Sequence, residues 1–331
     1  MSLDIYKNVR VTDVITKKYD DWLTHDHVNS QFRSYRKFHP SDMGYCIRKA
    51  VKMRLGHEGK FYTIPKMQRT FENGHSTHAR LQSHFGDMGF LYGRWICSNC
   101  EFVIGNDSKI GVLKPSECPN CNNAKKTSAV VDDVGNIVAG PKSIFEYKEL
   151  SVDDEEMELH GHTDGVLALN GNLFVIDFKT CSKSVYDELN RRNEPLEAHV
   201  FQVNIYMYIL GVPAAFLFYE NKNSMEIKEF LLVQDNEIIE EVKKRAALGI
   251  KCYREGTVPD IPESMIPEIL PYGYRDLKFS CQGYPAPQGS VKFPPCPFMH
   301  NCFPEQYEEM GGDERMNKLY IKIDKRLDYD D

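Results

Sequence analysis

The sequence predicts an α/β fold in which helices flank a mixed central sheet, and three stretches carry that prediction. The first is a pair of apolar runs, 161–166 and 174–180, joined at Gly171-Asn172, a turn pair that favours a hairpin. The second is the helical run 197–210, which Phe201, Ile205, Tyr208 and Ile209 help to bury and which Gly211-Val212-Pro213 stops. The third is a pair of strand-like segments, 214–220 and 226–233, followed by a helix from 236 to about 253.

A chain of 331 residues suits one large domain or a core with insertions, and it can bury a sizeable interior. With 41% hydrophobic and 27% charged residues it falls in the class of folded soluble proteins. No apolar run is long enough to span a bilayer, and Met1-Ser2-Leu3-Asp4 has no signal-peptide character, so a cytoplasmic protein with no membrane partner is expected. The formal charge of −7 argues against a uniformly basic nucleic-acid binder. Charge is uneven, however: from Arg33 to Arg54 seven Lys or Arg stand against one acid, Asp42, whereas the chain finishes Asp328-Tyr329-Asp330-Asp331. A local basic face matters more to a phosphate backbone than the global sum.

Taken in order, the first thirty residues look helical and carry no evident chemistry. In the stretch 39–51, Ser41 or Asp42 can cap a helix that Pro40 helps to begin, and Cys46 falls in its first turns. A buried thiol is the plain structural explanation of that cysteine. A second helix opens at 71 and runs to about His84, with His75 and His78 three apart on a shared face. A lone helical His is ordinarily a satisfied surface or core residue, and His78 becomes a ligand candidate only opposite a carboxylate cluster.

Ten cysteines without an export signal point to metals rather than disulfides. Cys97-Ser98-Asn99-Cys100 and Cys118-Pro119-Asn120-Cys121 are two Cys-x-x-Cys knuckles separated by seventeen residues, the spacing of a four-cysteine zinc site. Residues 144–150 then suggest a strand, and the acidic segment 153–158 a turn. In the hairpin that follows, Asp164 stands on the first strand and Asp177-Phe178-Lys179 on the second. Residues two apart in a strand share a face, so Asp177 and Lys179 point together. Two carboxylates and an ammonium on apolar strands are costly unless a divalent cation or an anionic substrate balances them. On the helix 197–210, Gln202 and Tyr206 share a face by their i, i+4 spacing. The Pro-rich stretch from Pro259 to Pro304 shows no helix or strand pattern, yet it holds Cys281, Cys296 and Cys302, which suggests a segment folded around a metal.

Arranged along the chain, Gly74-His75-Ser76-Thr77-His78, Gly161-His162-Thr163-Asp164, Asp177-Phe178-Lys179 and Gln202-Val203-Asn204-Ile205-Tyr206 resemble the motifs of the PD-(D/E)XK nucleases of the RecB type. The resemblance is to their iron–sulfur branch, which includes the CRISPR-associated exonucleases, the AddB nuclease domain and phage relatives. It spans roughly Ser41 to Cys302 and implies a restriction-endonuclease-like core. It further implies that His78, Asp164 and Asp177, with the backbone carbonyl of Phe178, bind Mg²⁺ or Mn²⁺. By the same resemblance Lys179 positions or activates water, and Gln202 and Tyr206 contact DNA or steady the site. A [4Fe-4S] cluster would use Cys46, Cys296 and Cys302. The remaining ligand departs from the family pattern, which has a cysteine where Phe293 stands, so Cys281 is the nearest candidate and Cys252 the next.

The domains expected on this basis are 1–92, an N-terminal helical part; 93–127, an inserted Zn²⁺ ribbon; 128–258, the catalytic core; and 259–331, a cluster-binding segment with an acidic tail. The implied function is metal-dependent DNA hydrolysis at ends or single strands, in recombination, repair or DNA processing. Arg48, Lys49, Lys52 and Arg54 would hold DNA, and recombination, replication or helicase proteins are the partners in view. The implied setting is the cytoplasm of a prokaryotic or phage-infected cell. A structure-specific endonuclease and a non-catalytic nucleic-acid-binding module are the alternatives.

Overall fold

The computed structural model describes residues 13–27, 35–122, 130–131, 137–139, 144–261, 269–270, 273–274, 284–285, 291–293, 295–309 and 311–323. Arg33, Cys281 and the acidic end 324–331 lie outside these. The chain forms two compact units: Arg36–Leu55 with Asn73–Asp260, and Met1–Tyr35 with Gly56–Glu72 and Ile261–Asp331.

The larger unit is α/β and built on an eight-stranded mixed sheet. Its inner strand, Asn172–Cys181, runs antiparallel to Gly165–Leu169 on one side and parallel to Ala214–Asn221 on the other. Ala214–Asn221 continues antiparallel to Ile227–Val233, the edge. On the far side Gly165–Leu169 pairs with Leu91–Cys97, which also carries Val103–Ile104, Val112–Leu113 and Phe145–Lys148. A separate hairpin joins Leu150–Asp154 to Leu159–Thr163. The inner strand is apolar on both faces: Val175, Ile176 and Phe178 are all buried, as a strand covered from both sides requires.

A parallel pair needs a crossover, and here two helices supply it. Glu197–Leu210 has the bounds the sequence predicts, and Val203, Ile205 and Met207 are fully buried. Its buried Asn204 is satisfied at both ends, donating to Val200 O (2.9 Å) and accepting from Asp235 N (2.7 Å). The other crossover helix, Lys183–Arg192, is not evident in the sequence. It buries only Tyr186 and Leu189, so it leaves little periodic signal. Ser182 caps its start, and Asn193 ends it at φ 54°.

Other expectations are corrected in detail. The hairpin turns at Asn170-Gly171 rather than Gly171-Asn172: Leu169 pairs with Asn172, and Asn170 and Gly171 take φ values of 51° and 79°. That positive pair suits a two-residue turn, and it leaves Asn172 to begin the second strand. Asp164 is not within a strand but at the bend between Leu159–Thr163 and Gly165–Leu169. Cys46 is not inside a helix. It is the N-cap of Ile47–Arg54, after a short helix Pro40–Met43 whose C-cap, Gly44, lies against the Ala198 backbone. The helix bearing His78 begins at Pro65 and extends to Asp87.

In the smaller unit Phe61–Thr63 pairs antiparallel with Ile321–Ile323. Asp313 accepts from Lys60 Nζ (2.8 Å) and from the Tyr307 hydroxyl (2.7 Å) over a core that includes Phe298, Tyr307 and Met316. Beyond Pro304, where the sequence suggests only an acidic tail, the helices Pro304–Glu309 and Gly312–Leu319 form. Among the described residues no helix is long and apolar enough to cross a membrane.

Candidate active site

The site lies in the larger unit, where the bend at Asp164 faces the inner strand. Asp164 is fully enclosed by partners. Its Oδ1 lies 3.1 Å from His78 Nδ1, and its Oδ2 accepts from the backbone N–H of Phe178 at 2.6 Å. Its own carbonyl accepts from the Tyr147 hydroxyl at 2.7 Å. Gly165 must be a glycine for that contact to exist, because a Cβ there would meet the Tyr147 oxygen at 2.7 Å and Leu91 Cδ1 at 2.5 Å.

On the inner strand, Asp177 and Lys179 do share a face, with Oδ2 and Nζ 2.7 Å apart. The approach is off the hydrogen-bond line, so Asp177 Oδ2 is buried in an ion pair without a hydrogen bond. Lys179 Nζ donates instead to Gln202 Oε1 (3.1 Å), and Gln202 Nε2 donates to the Tyr206 hydroxyl (2.9 Å). Gln202 and Tyr206, predicted on one face of one helix, therefore continue a polar chain that starts at Asp177.

Burial sets the electrostatics. It raises the Asp177 carboxyl to about 6, with Lys179 opposing and Asp164 adding to the rise. Burial also pushes Asp164 up, but the His78 hydrogen bond and charge, Lys179 and the Phe178 N–H outweigh it and hold Asp164 below the usual range. Lys179 is raised: burial works against its charge, and Asp177 and Asp164 overcome that. His78 is raised in the same way by Asp164. The ammonium therefore stays charged near neutrality, which suits charge stabilisation rather than proton abstraction.

The structure also brings in a residue that the sequence motifs miss. Ligand atoms of His78, Glu149 and Asp164 all lie within 4.8 Å of one another. An octahedral shell with metal–oxygen distances of about 2.1 Å holds its ligand atoms roughly 3.0–4.2 Å apart, so small side-chain shifts close this trio on a hard cation. Asp177 is not part of that trio and points to Lys179. The signal for Glu149 was present in the acidic segment 153–158: a turn there makes an antiparallel ladder just beyond whose end 149 and 164 lie.

The basic stretch behaves differently from expectation. Arg54 is only 7% exposed, ion-paired with Glu158 and stacked between the Phe38 and Tyr253 rings. Lys52 is 5% exposed, and Arg48 donates to the Pro259 carbonyl. Lys52 and Arg54 thus spend their charge inside the fold, and Lys49 is half-buried.

Cys97, Cys100, Cys118 and Cys121 converge at the other end of Leu91–Cys97, with all four sulfurs within 4.8 Å. Cys97 and Cys121 sulfurs are 3.8 Å apart, and those of Cys100 and Cys118 are 3.7 Å apart. A tetrahedron with Zn–S bonds of about 2.3 Å has edges of about 3.8 Å, so the four thiols fit one tetrahedral ion. The third residue of each knuckle crosses to the other: Asn99 donates to Cys121 Sγ and Asn120 to Cys100 Sγ, both at 3.5 Å. Trp95 and Phe145 pack beneath. Of the thiols expected in an iron–sulfur cluster, Cys46 belongs to the larger unit, Cys296 and Cys302 to the smaller, and Cys281 falls outside the described residues.

No family model and no curated protein matches the chain. Among solved structures it is similar to an alkaline exonuclease from Laribacter hongkongensis at 14% identity and a TM-score of 0.29, over 33% of this chain and 57% of that one. The same enzyme in complex with dAMP gives 11% identity and a TM-score of 0.35 over 66% and 92% of the two chains. The protein SSO0001 gives 15% and 0.36 over 72% and 86%. A phage-related exonuclease from Haemophilus somnus 129PT gives 14% and 0.24 over 33% and 60%. The chain thus spans little more than half of the alkaline exonuclease in the first of these superpositions. The functional reading rests on the geometry of the site itself.

Proposed function

We propose that this protein is a metal-dependent DNA nuclease of the PD-(D/E)XK type, acting as an exonuclease on DNA ends or single strands. The observation that carries the reading is the buried chain Asp177–Lys179–Gln202–Tyr206 set beside His78 and Asp164. Lys179 keeps its charge in a low-dielectric site, and the ammonium, together with a cation that the neighbouring carboxylates would hold, favours a phosphodiester passing through a more highly charged transition state. With Asp177 and Lys179 both intact, a non-catalytic module is disfavoured.

His78, Asp164 and Asp177 would hold Mg²⁺ or Mn²⁺; hard oxygen donors suit either ion, and the imidazole favours Mn²⁺. When bound, such an ion supplies Lewis-acid polarisation of the phosphate. Lys179, fixed between Asp177 and Gln202, stabilises charge on a non-bridging phosphate oxygen and orients the attacking water. Water oxygen bonds to phosphorus as one bridging P–O bond breaks, the leaving sugar oxygen takes up a proton, and the water's proton is lost to solvent.

The four-cysteine group is proposed as a structural Zn²⁺ site. Cys46, Cys281, Cys296 and Cys302 are proposed for an iron–sulfur cluster on the resemblance alone; anaerobically purified protein without iron or brown colour would exclude it.

The test of mode uses end-labelled linear DNA and covalently closed circles, single- and double-stranded, in Mg²⁺ or Mn²⁺. Degradation of linear DNA with circles untouched is expected. Cut circles would replace exonuclease by endonuclease, and no cleavage of either by zinc-loaded protein would remove the enzymatic reading.

A further inference from the structure

Glu149 is the single residue between Phe145–Lys148, which pairs in the central sheet, and Leu150–Asp154, which pairs in the side hairpin. In that hairpin Leu150 stands opposite Thr163. The ladder ends at that pair, and the next residue on each side, Glu149 and Asp164, lies just beyond it, their carboxylates coming within 4.8 Å of each other where the two strands part. Like charges set that close across a strand pair are destabilising. The unfavourable pair is moreover tied down from a third element. His78 and Gln82, one turn apart on Pro65–Asp87, reach the two acids separately: His78 Nδ1 lies 3.1 Å from Asp164 Oδ1, and Gln82 Nε2 donates to Glu149 Oε1 at 3.1 Å. Gln82 is 6% exposed, so that hydrogen bond is shielded from water. Gln82 takes up one Glu149 oxygen, and the carboxylate still comes within 4.8 Å of the His78 and Asp164 ligand atoms.

We propose that Glu149 is a direct ligand of the divalent cation at this site and that Gln82 is its positioning residue. The proposal rests on the cation site of the nuclease reading and adds a carboxylate to it. Asp164 is answered by His78 and by the nearby Lys179, whereas the side-chain hydrogen bond to Glu149 comes from the neutral Gln82 amide, so a cation held by both acids would relieve their like-charge contact. Both lie in one donor set with His78, so one ion can touch a strand end, a bend and a helix at once. The cross-ladder position also explains why no linear motif contains Glu149: its partner in space is fifteen residues away through a turn.

The test is Mn²⁺ binding to the full, zinc-loaded chain without DNA, by calorimetry and by loss of the free-ion electron paramagnetic resonance signal. The chains compared are wild type, Glu149→Gln, Glu149→Asp, Gln82→Ala and Asp164→Asn. Glu149→Gln should weaken Mn²⁺ binding by about tenfold to a hundredfold, and Gln82→Ala by less. Glu149→Asp should recover part of the loss. Because Glu149→Gln also removes the like-charge pair, metal-free protein should melt higher than wild type while gaining less on Mn²⁺ addition, a reversal that a purely structural role does not produce. Mn²⁺ binding unchanged in Glu149→Gln but lost in Asp164→Asn overturns the proposal and leaves the nuclease reading standing. Loss of binding in Glu149→Gln, with a wild type that cleaves no DNA, keeps the ligand and removes the nuclease. A wild type that binds no Mn²⁺ overturns both.

Discussion

The two cation sites proposed for the larger unit are built on opposite plans. The four-cysteine site draws all its ligands from 97–121, and its sulfurs already sit at tetrahedral separations. The acid site draws on residues 78, 149, 164, 177 and 179, carried by a helix, a strand junction, a bend and an inner strand. One is a local clip whose geometry follows from loop spacing. The other is a product of sheet register and helix placement, which bring the carboxylates of Glu149 and Asp164 within 4.8 Å of each other. The difference teaches that metal removal should unfold the first and relax the second.

The largest expected effect is on the clip. Structural zinc contributes on the order of 10 kcal/mol to small thiolate sites, so Cys118→Ser should abolish zinc retention and local protection of 91–121 from hydrogen exchange. Retained zinc and unchanged exchange would remove the contrast. In the acid site, Lys179→Ala should lower the single-turnover rate of DNA cleavage per folded molecule by about 10²–10³-fold, with a drop in melting temperature by calorimetry that is small beside that loss of rate, since buried Asp177 loses its ion pair. Equal loss of folding and rate would make Lys179 structural instead.

A third effect is pH-dependent. His199 sits with Nδ1 2.7 Å from the Tyr219 hydroxyl, which itself accepts from Leu196 N–H. Burial, aided by the nearby Lys179, lowers His199 to about 3. An unfolded His titrates near about 6.5, so the unfolded chain binds the proton first. The contribution of neutral His199 is therefore complete above that value and is lost as pH falls from about 6.5 toward 3. His199→Gln should flatten the dependence of unfolding free energy on pH across that window, measured by urea titration; an unchanged slope would mean that His199 is free to protonate in the fold. The smallest effect is Tyr147→Phe. It removes the hydroxyl that holds the Asp164 carbonyl and should cost about 1 kcal/mol of stability, with a modest loss of Mn²⁺ affinity.

The same contrast governs what could be read in the sequence. Cysteine spacing alone locates the clip, because four ligands within one ribbon need no long-range register. For the acid site, short motifs were enough to bring forward His78, Asp164, Asp177, Lys179, Gln202 and Tyr206. Glu149 and Gln82 belong to no motif, since their relation to Asp164 and His78 exists only once the ladder and the helix face are fixed. The helix Lys183–Arg192 escaped for a related reason: with two buried anchors, its stability comes from tertiary packing rather than from its own pattern. Within the basic stretch, spacing alone does not distinguish a guanidinium that meets a phosphate from one that, like Arg54, serves a buried ion pair and two aromatic rings.

The most direct test of the central claim is the initial rate at which zinc-loaded protein hydrolyses end-labelled single-stranded DNA in Mn²⁺, compared with Asp177→Asn at equal folded concentration. Asp177→Asn keeps the shape of a buried side chain and removes its charge. The account predicts cleavage by the wild type, its loss on removing Mn²⁺, and a rate at least about 10²-fold lower in the variant. A variant as fast as the wild type, or cleavage indifferent to the metal, would contradict it.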